Sequence, residues 1–235
     1  MIKNPDVFLF GLRIQEPITT LTDIFVSLIC FYAFTQTRKK LPVGKLRNYL
    51  SYYFLLMGFS TLFGGVCGHA FQYVLGTDGK LPGWLISTIA ILLFELATIQ
   101  LAKSFLSEQI TKVLSWLAIV EFIVLFSLIL ISKDLKFVQF HATFGILIVS
   151  TSLHFVMTIK KLNPGSKFIL AGVGLLALTA LVFNQQLAIS HWFNHMDIAH
   201  VLMGFTILFF LKGVLRFGNA YYKASERIPA AKALI

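Results

Sequence analysis

The chain is 235 residues long, 57% hydrophobic and only 13% charged, a balance that argues against an ordinary soluble domain and for a membrane protein. Its formal net charge of +10 could suggest nucleic acid, but the Lys and Arg residues sit in short stretches between apolar runs and build no basic face, so no nucleic-acid partner is expected. Cys30 and Cys67 lie inside apolar segments without CxxC spacing, which speaks against a disulfide and against cysteine-held zinc.

Taken in order, residues 1–17 carry a short apolar patch that ends at Arg13; they do not read as a cleavable signal peptide and are expected to lie along a membrane surface as an amphipathic segment. Seven apolar runs come next, at roughly 18–36, 47–70, 83–103, 112–132, 136–158, 167–187 and 195–215, each near the ~20 residues that cross a bilayer as a helix. Turn-forming residues punctuate them: LPVG at 41–44, GTDGKLPG at 76–83, SKD at 132–134 and NPGSK at 163–167. The expected fold is all-α, a polytopic seven-transmembrane-helix bundle over 18–215 with a loosely ordered cytoplasmic tail at 216–235. Of the 20 Lys and Arg residues, 15 follow helices one, three, five and seven, which places the amino terminus outside and the carboxyl terminus in the cytoplasm.

On that topology the ionisable residues are one-sided. His69 closes helix two, His141 sits one turn into helix five, and His195, Asp197 and His200 open helix seven, with His191 just before them. All fall at the outer ends, and Asp23 lies less than two turns into helix one from the same side. Ionisable groups at such depths are costly unless paired or used. Imidazole and carboxylate are zinc ligands, and a catalytic zinc keeps about three protein ligands. His69 with His195, Asp197 and His200 could supply such a set, although His195 and His200 stand about 140° apart on a regular helix and can share an ion only if His195 precedes the first regular turn. Asp197 also has a structural explanation, in which Asn194 caps helix seven and Asp197 occupies its first turn. Asp23 could receive a histidine N–H or move a proton. His141, His191 and Asn184 are candidates for lining a substrate cavity on the same side. His154 reads as structural, and Glu95 and Glu121, near the middle of helices three and four, as an internal polar pair.

The segments GGVCGHAF, ending helix two, and NHMDIAHVLMG, opening helix seven, resemble the CREST superfamily of seven-helix membrane proteins: the alkaline ceramidases, the progestin and adiponectin receptors, and bacterial relatives. The resemblance implies a zinc held by histidines of helices two and seven, with His69 the first ligand and His200 the last. Met196 stands where that family's HxxxH motif has its other histidine, so His195 or Asp197 would substitute, and Gly65 stands where the family has a serine. The same resemblance implies a zinc-dependent hydrolase that cleaves a ceramide-like amide, or an ester, of a membrane lipid in a bacterial inner membrane, and the charge distribution along the chain turns its site outward. Asp23 or Asp197 would handle the proton. The alternatives are a metal-stabilised receptor or scaffold without turnover, and a haem-binding electron carrier with His69 and His200 as axial ligands.

Overall fold

The structure, a computed structural model, describes residues 5–232, with side chains through Arg216. Seven helices are long and apolar enough to cross a membrane: α1 (Pro17–Lys40), α2 (Lys45–Ala70), α3 (Gln72–Ala102), α4 (Glu108–Ser132), α5 (Leu135–Ile159), α6 (Ser166–Asn184) and α7, whose apolar part is His195–Arg216. Their boundaries follow local chemistry. Pro17 occupies the first turn of α1, where its missing N–H costs nothing, and Arg38, Lys39 and Lys40 extend the helix beyond the expected 36 by meeting its carbonyl end. Ser107 caps α4 by accepting from the Ile110 N–H, and Asp134 caps α5 by accepting from that of Lys136.

The GTDGKLPG stretch is wound into the start of α3, with a 3-10 turn over Gly76–Lys80, rather than left as a loop. The segment before α1 is a small antiparallel hairpin, β1 (Val7–Leu9) and β2 (Leu12–Ile14), tied by an ion pair in which Arg13 Nε donates to Asp6 Oδ2 at 2.8 Å. Its tip presents Phe8, Leu9 and Phe10 to the surroundings. At the other end the α7 helix runs on to Lys232 instead of stopping near 216; residues 1–4 and 233–235 of the two expected terminal segments lie outside the described residues.

Six helices form a ring in the order α1, α2, α3, α5, α6, α7, with α7 closing back onto α1. α4 stands outside it against α3 and α5, and its outer face of Val113, Trp116, Val120 and Ile123 is exposed. Only 11% of its apolar window is buried, against 56% for α3, so α3 is the central strut and α4 an outrigger. The mid-level of the ring is plugged by aromatics: Tyr53, Phe94 and Phe210 are buried, and the last two stack at 4.9 Å with an 8° interplanar angle. Close approach of α6 to α7 depends on Gly172, where a Cβ would stand 2.6 Å from the Phe210 ring.

Candidate metal centre

Two of the ring helices depart from α geometry. The end of α2, Gly64–Ala70, is π-helical, as is Thr143–Ser150 in α5. An i→i+5 stretch rotates every later side chain relative to a regular helix, and in α2 the residue so turned is His69. The same stretch lies tight against α1. A Cβ at Gly65 would stand 2.8 Å from Asp23 Cβ and 3.1 Å from the Thr20 carbonyl oxygen, so this position has no room for a side chain. Thr20 Oγ1 reinforces the contact by donating to the Gly65 carbonyl at 3.2 Å.

Asp23, His69 and His200 each offer one ligand atom, all within 4.8 Å of one another. The ring nitrogens are sorted by their other partners. His69 Nδ1 lies 2.6 Å from Glu16 Oε2, and the carboxylate can only accept, so Nδ1 carries the proton. His200 Nδ1 lies 3.0 Å from Thr22 Oγ1, whose own proton goes to the Thr19 carbonyl at 3.0 Å; here too the ring nitrogen donates. Both Nε2 atoms are therefore bare, and they face the two oxygens of Asp23, His200 at 3.4 Å from Oδ1 and His69 at 3.7 Å from Oδ2.

Two bare ring nitrogens and a carboxylate in a buried pocket repel one another unless a cation lies between them, and a proton on Asp23 would relieve only one of the two contacts. The separations support that. They are too long for direct hydrogen bonds, whereas ligands held about 2.0–2.1 Å from a tetrahedral zinc sit roughly 3.3 Å apart. Two imidazoles and one carboxylate are a borderline-to-hard donor set that suits zinc. The residues present therefore fit a metal ion.

Asp197 stands elsewhere. Its Oδ2 accepts from the Asn194 N–H at 2.7 Å while Asn194 Oδ1 accepts from the Met196 N–H at 2.8 Å, a reciprocal cap on α7, and its Oδ1 accepts from Thr19 Oγ1 at 2.7 Å. It ties α7 to α1 and is not one of the converging donors. His195, the first residue of α7, packs its ring edge-on against Phe183 at 5.5 Å and also lies outside the group. His191 is exposed in the α6–α7 connection beside Trp192. His141 is wholly buried and turned the other way, with Nδ1 2.7 Å from Glu121 Oε2 and Nε2 2.9 Å from the Thr88 carbonyl oxygen. His154 is held between Ser166 and Thr98, a structural placement.

Glu16 is the site residue that sequence reasoning passes over, because it precedes the first apolar run. Its only signal is its place directly before Pro17. In the structure it adopts a left-handed backbone with φ 46°, an uncommon state for a residue with a side chain. The neighbouring Gln15 N–H donates to the Ala70 carbonyl at 3.0 Å, which brings this turn against the end of α2.

A cavity of about 600 Å³ opens beside the two imidazoles. His69, Lys80, His200 and Asn184 line its polar end; Tyr53, Ile91, Ile146, Met203 and Ile207 line the apolar remainder. Every ring helix contributes to the wall and α4 does not. Asn184 is in the wall of this cavity, whereas His141 and His191 are not.

Fold and site together define a seven-helix bundle with a metal-competent histidine–aspartate group at one end of an internal cavity. The chain belongs to a family of unknown function (DUF6962), which matches residues 18–219. No curated protein and no solved structure matches it.

Proposed function

We propose that the protein is an integral membrane hydrolase that uses zinc held by Asp23, His69 and His200 to cleave an amide or ester of a lipid, as the CREST resemblance implies. The observation that carries this is the pair of bare Nε2 atoms converging on one carboxylate beside a largely apolar cavity. The bundle sits in a bacterial inner membrane, amino terminus outside, with the site at the non-cytoplasmic end. Zinc, when bound, supplies a Lewis acid and acidifies water enough for it to attack a carbonyl near neutral pH.

The chain's own residues do the rest. Glu16 and Thr22 hold the two Nδ1 protons, fixing both rings with Nε2 inward. The apolar wall takes the acyl chain and excludes water, and the Lys80 ammonium and the Asn184 amide lie at the polar end, where a head group would rest. Because Asp197 is engaged in capping α7, proton handling falls to Asp23.

The second reading is a metal-stabilised receptor or scaffold. Two observations favour it: Gly65 leaves no hydroxyl where the resembled family has serine, and Asp197 is spent on helix capping and on Thr19. A haem held by His69 and His200 fits less well, because the Asp23 carboxylate faces both of the Nε2 atoms that would bind it.

Metal analysis of detergent-purified protein, followed by incubation with a panel of lipid amides and esters, separates these readings. Stoichiometric zinc with turnover supports the hydrolase. Zinc without product from any lipid, together with a melting temperature that falls on chelation, supports the scaffold. Protein that neither carries nor takes up zinc overturns both.

A further inference from the structure

A second buried cluster lies between α3, α4 and α5, outside the cavity wall. Glu95 of α3 is 1% exposed, and its Oε2 has no hydrogen-bond partner. Glu121 of α4, almost at the middle of that helix, turns Oε2 toward His141 of α5 and leaves Oε1 buried without a partner. Glu95 lies within electrostatic reach of both Glu121 and His141. Gly145, in the π-helical stretch just after His141, makes room for it: a Cβ there would stand 3.1 Å from Glu95 Oε2.

Hydrogen counting shows what this cluster needs. The Thr88 carbonyl can only accept, so His141 Nε2 carries a hydrogen. At 2.7 Å, Nδ1 and Glu121 Oε2 must share one proton, either as imidazolium and carboxylate or as imidazole and carboxylic acid. Both forms are neutral. Glu95 then decides the net charge of the cluster: ionised, it leaves one uncompensated negative charge in a buried place, which is costly; with a proton added, the cluster is neutral and an orphaned carboxyl oxygen becomes a hydroxyl. The remaining titratable groups on the packed elements do not compensate it. His154, farther along α5, is bonded to Ser166 and Thr98, and Tyr53 of α2 packs against the Phe94 ring.

We propose that Glu95, Glu121 and His141 form a proton-binding site inside the bundle, distinct from the metal group, in which Glu95 takes up one proton beside a His141–Glu121 pair that already shares one. The ligand is a proton and not a metal ion. Among the described residues, only Asp23, His69 and His200 bring three such donors within 4.8 Å of one another, so the Glu95 cluster has no comparable convergence. The site is independent of the hydrolase reading and stands or falls without it. It gives the chain a place to hold a proton within the bundle, and none of its three residues lines the cavity.

Infrared spectroscopy of the purified full chain in lipid nanodiscs at neutral pH tests this through the C=O stretch of protonated carboxyls, identified by its shift in deuterium oxide. The expected result is a band that persists in Asp23→Asn, loses its Glu95 component in Glu95→Gln and shifts without loss in Gly145→Ala. In ¹⁵N spectra of labelled histidine, the His141 Nδ1 resonance should move in Glu121→Gln while Nε2 stays protonated. If Glu95→Gln does not fold, the Gly145→Ala protein decides, because its methyl group meets Glu95 Oε2 and a band that does not shift there overturns the assignment. A spectrum with no protonated-carboxyl band in Asp23→Asn overturns the proposal, as does a band indifferent to both glutamate substitutions. A band abolished by adding sodium chloride at constant pH would show that a metal cation occupies the site instead.

Discussion

The bundle holds two groups built from the same materials, imidazole and carboxylate, and they differ in geometry. At the Asp23 group each ring is anchored through Nδ1 to a residue at the start of α1, Glu16 or Thr22, so the bare nitrogens meet the carboxylate at 3.4 and 3.7 Å. At the Glu121 group, His141 spends Nε2 on a backbone carbonyl, and Nδ1 meets a single carboxylate at 2.7 Å. A gap wide enough for an ion suits a metal; direct contact suits a proton. The acceptor behind each ring, more than the number of histidines, decides which.

Substitutions can test whether the two groups differ in this way. The largest effect is expected from His69→Ala or His200→Ala, each of which should reduce stoichiometric zinc to background by elemental analysis; either variant retaining full zinc would remove the ligand assignment. Next, Glu16→Gln should weaken zinc binding by about 10–100-fold in a competition titration, the usual cost of losing the group behind a metal-binding imidazole. An unchanged affinity would mean that Glu16 does not set the ring. Gly65→Ala forces a methyl against Asp23 Cβ and the Thr20 backbone, and should destabilise the fold by about 1–3 kcal/mol in thermal or denaturant melts. Asp197→Ala removes a helix cap and should cost about 1 kcal/mol with zinc stoichiometry intact, whereas lost zinc would return Asp197 to the ligand set. Smallest for the metal, His141→Gln should leave zinc content unaltered, and a change would show that the two groups are coupled.

The sequence exposes some of this and hides the rest for identifiable reasons. Apolar runs reveal the seven long helices because hydropathy is a property of composition. Topology puts His69, His200 and Asp23 at one end because chain direction alternates from helix to helix. Which side chains then share a pocket depends on rotation about each helix axis, and the π-helical end of α2 shifts that rotation in a way no regular periodicity anticipates. His141 illustrates the limit: its depth is legible, but its choice of Glu121 over the cavity depends on how the outlying α4 leans on α5. Glu16 is missed for the opposite reason, since the first apolar run begins two residues after it.

The small hairpin has a mechanical consequence. β2 ends at Ile14, Gln15 is bonded to the last residue of α2, and Glu16 grips a ring of the metal group, so three successive residues join a surface ribbon to the deepest chemistry at that end. A sideways displacement of the ribbon therefore reaches the imidazole through a few covalent bonds, without any of the seven long helices having to tilt.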